Sequence, residues 1–309
     1  MKISLVATVK DAAEHIGDFL TSLRAQARVP DEVIIVDGGS TDGTAETLRA
    51  AANVQLIEAP GANIPRGRNL AIDAATHDTI AVTDADCVLS PGWLAELERT
   101  LEGGADVAMG FFRPIATSVF DACAAAVTLP EVWEVKPDRF MPSARSVAFR
   151  REAFERAGRY PEWLGIGEDM YLNHRMRDLD LRMDFAPHAV VYWRPRPSVR
   201  DTWLQYFRYA RGDAIAGMYG RRHALRFGTY GLLSWAALTG RRRLLTALGL
   251  AAAAHAGHRL PRAFRLLPNR PADRIKAAGS MPAHIALADA AKMAGYIAGW
   301  VERARRGAS

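Results

Sequence analysis

The chain has 309 residues, of which 49% are apolar and 24% are charged, the ordinary balance of a globular protein. This balance excludes wholesale disorder and collagen-like repeats, and the length suffices for one large domain or two smaller ones. The net charge of +6 is unevenly distributed, because residues 1–189 carry 19 basic and 29 acidic side chains, whereas residues 190–309 carry 21 and 5. The pattern indicates an acidic body suited to cations and a basic tail suited to an anionic partner: phospholipid, nucleic acid or diphosphate.

The two cysteines, Cys87 and Cys123, are too few for a disulfide framework and are typical of a reducing compartment. The apolar run at the N-terminus is too short for a signal peptide and predicts a strand. We therefore expect a cytoplasmic protein.

Short β-branched runs alternate with helical segments over the first part of the chain. The expected strands are Ile3–Val9, Glu32–Asp37, Val54–Glu58, Thr79–Thr83 and Val107–Phe112. The expected helices are Ala13–Ala27, Thr44–Ala52, Pro65–Ala75 and Gly92–Leu101. This alternation predicts an α/β protein with right-handed βαβ units and a doubly wound, mostly parallel sheet.

The order becomes less regular after Phe112. We expect helices at 119–127, 151–157 and 168–178, an extended segment at 146–150 and strands at 183–185 and 189–193. From Val199 onward the sequence predicts a mostly helical, arginine-rich extension.

The stretch Gly228–Gly257 is the one candidate for membrane contact. Its apolar parts, Tyr230–Leu238 and Leu244–Ala254, are separated by three arginines, and each is shorter than the roughly 20 residues of a spanning helix. Two interpretations stay open: interfacial helices lying on lipid headgroups, or two buried helices of a helical subdomain.

Polar residues follow three of the expected strands. The first strand ends at Thr8-Val9-Lys10, the second at Asp37-Gly38-Gly39 and the fourth at Asp84-Ala85-Asp86. Because ligands of an open parallel sheet bind outside the carboxyl ends of its strands, these residues are expected to meet in one crevice.

The residue types in this crevice indicate an anionic ligand and a cation. Asp84 and Asp86 suit a hard divalent ion, although Asp-x-Asp also occurs in solvated turns. Asp37, at the end of a buried strand, can accept an N–H group from a nucleobase. Arg68 lies near a predicted helix N-terminus, where phosphate is favoured, although a solvent-facing arginine fits equally well.

Acidic residues also begin the helix expected at 168–178. Glu168 is typical of a carboxylate that interacts with the helix dipole, which leaves Asp169 to project into the crevice.

Seven short motifs stand in order over roughly residues 1–215: VATVKDAAEHI, VDGGSTDGT, RGRNLAI, TDADCVLSPGWL, PSARSVAFRREAF, GIGEDMYLNHRMR and QYFRYARGD. The ordered set resembles the bacterial family 2 glycosyltransferases of the GT-A fold. The resemblance implies an inverting enzyme that moves a sugar from a nucleotide-diphosphate sugar, with a UDP-sugar favoured, to an acceptor hydroxyl in cell-envelope glycan or glycolipid synthesis.

The resemblance also implies roles for individual residues. Asp169 matches the catalytic base, and Asp86 the ligand of a divalent metal, Mn²⁺ or Mg²⁺. The nucleotide-binding positions are Thr8, Lys10, Asp37, Arg68 and Asp84. The positions expected to contact acceptor or diphosphate are Glu168, Gln205, Arg208, Tyr209 and Arg211.

The sequence departs from the family pattern at three places. Tyr209 replaces the tryptophan of the Gln-x-x-Arg-Trp motif, and Gly38 stands where many relatives have a second aspartate. Trp193 stands where relatives often have a metal-binding histidine, and His188 lies five residues too early. We therefore expect metal binding to depend on Asp86 and the diphosphate.

These observations predict a GT-A glycosyltransferase domain at 1–215 and a helical basic region at 216–309. The expected partners are a nucleotide-diphosphate sugar, a lipid-linked or glycan acceptor and an anionic surface on the cytoplasmic face of a membrane. Nucleic acid is not expected, because no RNA-binding motif is present. The alternatives are a catalytically silent nucleotide-sugar-binding protein and a sugar nucleotidyltransferase of similar fold.

Overall fold

The computed structural model describes residues 1–306 and divides into two compact units. The first unit comprises Met1–Arg113 and Val132–Arg194, and the second comprises Pro114–Glu131 and Pro195–Ser309. The division therefore falls at Pro195, earlier than the expected boundary between 215 and 216, and the second unit also takes in residues 114–131. Of the expected basic region, residues 307–309 lie outside the described residues.

One sheet of eight strands forms the centre of the first unit. The strands are β1 (Ile3–Val9), β2 (Glu32–Asp37), β3 (Gln55–Glu58), β4 (Thr79–Asp84), β5 (Val88–Leu89), β6 (Val107–Pro114), β7 (Val147–Arg150) and β8 (Met183–Trp193). Their spatial order is β3-β2-β1-β4-β7-β6-β8-β5. The four strands β3, β2, β1 and β4 are parallel, whereas the pairs β4–β7, β6–β7 and β5–β8 are antiparallel. The predicted α/β class with a parallel βαβ core is confirmed.

Twelve α-helices occur in the described residues. They are α1 (Ile16–Arg24), α2 (Thr44–Arg49), α3 (Ile64–Ala74), α4 (Trp93–Glu102), α5 (Val119–Thr128), α6 (Arg151–Arg156), α7 (Glu168–Asp178), α8 (Val199–Ala216), α9 (Gly220–Leu238), α10 (Arg242–Gly257), α11 (Leu260–Leu266) and α12 (Pro271–Arg306). Short 3₁₀ turns lie at Val132–Glu134 and Pro137–Arg139.

The parallel strands β1, β2 and β4 are buried on both faces, which explains their almost continuous apolar sequence, whereas the edge strand β3 has no buried residue. Every residue of β1 except Thr8 is buried, and β2 is buried from Val33 to Asp37. On one side of the sheet, Ile72 of α3, Phe154 of α6 and Met176 of α7 belong to one apolar cluster with Phe149 of β7. The core thereby fixes where each strand ends, and so where its polar residues lie.

Two features of the sheet differ from the expected pattern. The short strand β5 was not expected, because two residues are too few to show a period. The strands expected at 183–185 and 189–193 form one continuous strand, β8. Pro187 and the exposed His188 interrupt the apolar pattern of β8 without ending the strand.

The second unit is helical, and its longest element is the 36-residue helix α12. Helix α12 packs closely on α8, because a methyl group at Gly295 or Gly299 would overlap the carbonyl oxygen of Phe207 or Arg211. The close approach of these helices explains why α8 belongs to this unit.

Helices α9 and α10 have little covering. Between Gly228 and His255, Ala236 is the only buried residue. The interpretation as two buried helices is therefore wrong. No helix within residues 1–306 is both long and apolar enough to cross a membrane.

Candidate functional site

The carboxyl ends of β1, β2 and β4 lie side by side, as the sequence predicts. Thr8 of β1 is the register partner of Asp84 of β4, and Val9 is the partner of Asp37 of β2. Thr8 is half-buried, and Lys10 is exposed just beyond the strand. Candidate residues from three segments of the chain are therefore at one edge of the sheet.

Asp37 is buried at this edge with half of its carboxylate engaged by the backbone. Its Oδ1 accepts hydrogen bonds of 2.7 Å from the N–H groups of Gly39 and Ser40. Its Oδ2 is buried and has no hydrogen-bond partner within the described part of the chain. An unpaired buried carboxylate oxygen is costly, so Oδ2 is suited to accept an N–H group from a ligand.

Close backbone contacts explain two glycines at this edge. A Cβ atom at Gly38 would lie 3.2 Å from the carbonyl oxygen of Ala62, which leaves little room for the aspartate of many relatives. A Cβ atom at Gly67 would lie 2.9 Å from Cγ2 of Thr8, so α3 passes directly over the end of β1. This close passage brings Arg68, the next residue of α3, to the edge.

Arg68 is 4% exposed and joins two acidic groups that are far apart in the sequence. Its Nη2 donates to Asp84 Oδ1 at 2.7 Å, and its Nη1 donates to Glu168 Oε1 at the start of α7. Its guanidinium group also lies 5.4 Å from the ring centroid of Tyr160. The guanidinium of Arg68 is thus a structural link between β4 and α7 rather than the solvent-facing group that the sequence left open.

The electrostatics of this link follow from its burial. Burial acts to lower the pKa of Arg68, but the carboxylates of Asp84 and Glu168 raise it above its ordinary value, so Arg68 stays charged. Burial also raises the pKa of Glu168; Arg68 lowers it and Asp169 raises it, leaving a pKa of about 7. Glu168 is therefore an anchoring residue that titrates near neutral pH.

Asp169, the next residue, is half-buried in the first turn of α7. Its Oδ1 accepts a hydrogen bond of 2.8 Å from the N–H of Met170, and its Oδ2 accepts one of 3.2 Å from the N–H of Ala144. These bonds hold the carboxylate in a fixed orientation at the N-terminus of α7.

Asp86 lies two residues beyond β4 and is half-buried. The thiol of Cys87, whose pKa is raised by burial, donates to Asp86 Oδ1 at 3.6 Å. No cluster of three or more His, Cys, Asp or Glu side chains able to hold a metal occurs in residues 1–306. Arg68 already occupies one oxygen of Asp84, so few carboxylate oxygens are left for a metal. Such a donor set fits a hard divalent ion that is held by one or two carboxylates and takes its remaining ligands from substrate phosphates.

Arg145 is a site residue that the sequence reasoning missed. Its Nε lies 3.7 Å from Asp84 Oδ2, and its guanidinium group stacks over the rings of Trp193 (4.9 Å) and Phe112 (5.5 Å). Thus Trp193, which stands where relatives often have a histidine, stacks against Arg145. The antiparallel register of β4 and β7, which pairs Val82 with Val147, brings Arg145 opposite Asp84, and the sequence of β7 carries no signal of this register.

The remaining candidates lie on α8, in the second unit. Gln205 Nε2 donates to the hydroxyl of Tyr209 at 2.9 Å. Arg211 donates to Glu302 of α12 through Nε at 2.9 Å and through Nη2 at 2.5 Å. Arg208 is exposed, so this helix presents a mixture of paired and accessible polar groups.

Residues 4–122 match the model of the family described as Glycosyl transferase family 2. The glycosyltransferase AglE of Haloferax volcanii is 27% identical over 233 residues, which are 71% of this chain and 75% of that protein. The succinoglycan biosynthesis protein ExoA of Rhizobium meliloti is 25% identical over 229 residues, 68% of each chain.

Two solved structures show the same fold. The mannosyltransferase PcManGT from Pyrobaculum calidifontis, in complex with GDP-Man and Mn²⁺, has a TM-score of 0.56 at 20% identity, over 98% of this chain and 87% of that one. A TarS fragment from S. aureus, in complex with UDP-GlcNAc, has a TM-score of 0.53 at 17% identity, over 99% of this chain and 92% of that one. The fold is therefore of the GT-A type, as the sequence predicts.

Proposed function

Because residues 4–122 match the model of glycosyl transferase family 2, we propose that the chain is a member of this family and moves a sugar from a nucleotide-diphosphate sugar to an acceptor hydroxyl with inversion at the anomeric carbon. A UDP-sugar is the favoured donor, and cell-envelope glycan or glycolipid synthesis the favoured setting. The names of AglE, ExoA and TarS, together with the sugar nucleotides bound in the two solved structures, support this assignment.

The observation that carries the proposal is the buried Arg68 bridge between Asp84 and Glu168. The bridge ties the strand edge, where the nucleotide-binding candidates lie, to the first turn of α7, which holds Asp169. A displacement reaction needs its base and its leaving group held in one geometry, and such positioning supplies a large part of catalysis.

Asp169 is the proposed general base. Backbone N–H groups orient its carboxylate, which then removes the proton of the acceptor hydroxyl as that oxygen attacks the anomeric carbon. The bond from the anomeric carbon to the diphosphate breaks in the same step. The nucleoside diphosphate leaves with the electron pair.

The nucleotide is proposed to lie along the strand edge. Oδ2 of Asp37 accepts an N–H group of the base, and Thr8, Lys10 and Asp84 contact the nucleoside. When bound at Asp86, Mg²⁺ or Mn²⁺ supplies Lewis-acid stabilisation of the diphosphate. Arg145 adds a fixed positive charge at the same edge, which stabilises developing negative charge without reorganisation.

The acceptor side of the proposal concerns α8 and the setting of the enzyme. Gln205, Arg208, Tyr209 and Arg211 are proposed to contact acceptor or diphosphate. A lipid-linked or glycan acceptor, met by a cytoplasmic protein on the inner face of a membrane, fits the basic composition of the second unit.

The test compares Asp169→Asn with Asp178→Asn, which removes an exposed carboxylate from the same helix, α7. Release of nucleoside diphosphate is measured with UDP-, GDP- and dTDP-sugars in the presence of Mn²⁺, and nucleotide binding is measured by thermal shift. We expect Asp169→Asn to lower turnover by about 100-fold or more while the thermal shift persists, and the control to keep both. Undiminished turnover in Asp169→Asn would eliminate the assignment of the base.

A further inference from the structure

The helical hairpin α9–α10 exposes apolar side chains that a protein in water normally covers. Leu225 is 73% exposed, Leu238 88% and Leu250 68%. Leu232, Leu233 and Trp235 are also exposed on α9. Exposed apolar groups that cluster on one element and are rimmed by charge are typical of an interaction surface.

The charge of this segment has one sign. No aspartate or glutamate occurs between Asp213 and Asp273. The same segment contains ten arginines, at 221, 222, 226, 241, 242, 243, 259, 262, 265 and 270. The potential around the hairpin is therefore positive and selects an anionic partner.

Arginine and aromatic groups meet at the turn between the two helices. Arg241 is the N-cap residue of α10, and its guanidinium group lies 4.6 Å from the ring of Trp235. Arg242 and Arg243 follow in the first turn of α10, and Leu238 ends α9. Tryptophan, leucine and arginine combined in this way are typical of helices that lie at a membrane interface.

We propose that the α9–α10 hairpin, residues 220–257, docks on an anionic lipid surface, with Trp235 and Leu238 among the acyl chains and Arg241–Arg243 on the headgroups. The acid-free segment argues against a second copy as the occupant, because a symmetric contact would oppose arginine to arginine. Nucleic acid would pair with the arginines but leave the exposed leucines uncovered. A lipid surface satisfies both chemistries.

The experiment measures co-sedimentation of the full-length protein with sucrose-loaded vesicles of phosphatidylcholine alone or with about one third phosphatidylglycerol. One variant replaces Arg241–Arg243 by glutamine, and a second is Leu238→Asp, at a side chain so exposed that folding is unaffected. The matched control replaces Arg49, Arg99 and Arg139, three exposed arginines of the first unit, by glutamine.

Binding is expected for the phosphatidylglycerol vesicles only. The arginine triple variant should bind roughly 100-fold more weakly, since each of the three arginines near an anionic surface contributes about fivefold. Leu238→Asp should bind about tenfold more weakly, and the control triple within about twofold of the wild type. Release of nucleoside diphosphate without vesicles should be unchanged in all variants, which separates lipid docking from the proposed catalysis.

Three results would overturn the proposal. The first is no binding, or equal binding to both vesicle types. The second is an equal loss of vesicle binding in the control triple variant, which would show that total charge, and not the hairpin, determines binding. The third is tighter binding to a single-stranded RNA probe than to vesicles, or a dimer that the hairpin variants abolish, since either would assign the surface to another occupant.

Discussion

Replacing Arg68 by methionine tests the link between β4 and α7. The methionine side chain fills much of the same volume but leaves Glu168 buried without its cation. Removing one partner of a buried ion pair costs about 3–5 kcal/mol of unfolding free energy. The Glu168 side chain is 6% exposed, so the full range applies to it, whereas Asp84, at 23%, retains partial solvation.

The loss of unfolding free energy in Arg68→Met is expected to depend on pH. The pKa of Glu168, about 7, lies above its ordinary value of 4.5, so the folded protein binds this proton more tightly than the unfolded chain. The contribution of Glu168 to stability is therefore complete below about pH 4.5 and is lost as the pH rises through 7. Without Arg68 the pKa of Glu168 rises further. The unfolding free energy of the variant therefore falls further below that of the wild type as the pH rises above neutral.

The assay is urea denaturation of wild type and Arg68→Met at pH 6 and pH 8. We expect a loss of about 4 kcal/mol at pH 8 and about 2 kcal/mol at pH 6, where Glu168 is protonated and chiefly the hydrogen bonds of Arg68 are missing. Arg99→Met, at an exposed pair with Glu96, serves as the control and should cost under about 1 kcal/mol. A loss at pH 8 no larger than that of the control, or one equal at the two pH values, would refute the reasoning.

Two further predictions follow from close contacts elsewhere in the chain. Arg145→Gln should raise the KM for the donor about tenfold with a small change in Tm. Arg145→Lys should not restore the wild-type KM, because stacking on Trp193 requires the planar guanidinium. An unchanged KM in Arg145→Gln would show that Arg145 has no part in donor binding. Gly295→Ala should destabilise the second unit by more than about 1 kcal/mol, because the methyl overlaps the carbonyl of Phe207. Gly279→Ala, in open space on the same helix, should stabilise the second unit by about 0.5–1 kcal/mol. Equal Tm shifts in the two glycine variants would contradict the packing of α8 on α12.

The strand edge could be predicted because its information is local. Each of β1, β2 and β4 is a short apolar run followed at once by polar residues, and parallel strands align their carboxyl ends without further knowledge of the fold. That rule predicted that Thr8, Asp37 and Asp84 would meet at one edge of the sheet, and the structure adds the register, which pairs Thr8 with Asp84 and Val9 with Asp37.

The contribution of β7 could not be predicted in the same way. This strand enters the sheet antiparallel between β4 and β6, and nothing in its four residues fixes that position or direction. Arg145 therefore appeared as one arginine among many in a motif. Likewise, the membership of α8 in the helical unit depends on its contact with α12, about 90 residues further along the chain.

Glu168 and Asp169 show how one motif serves two purposes. The sequence favoured Glu168 as a helix-dipole partner, yet its side chain is buried and bound to Arg68, while its neighbour stays half-exposed. Adjacent residues in the first turn of a helix point in different directions, so one can anchor the helix while the other faces the crevice. The ion pair of Glu168 then holds the start of α7 against β4. The position of Asp169 relative to the strand edge is consequently set by a buried arginine on a third element, and the proposed base does not have to stabilise the fold that presents it.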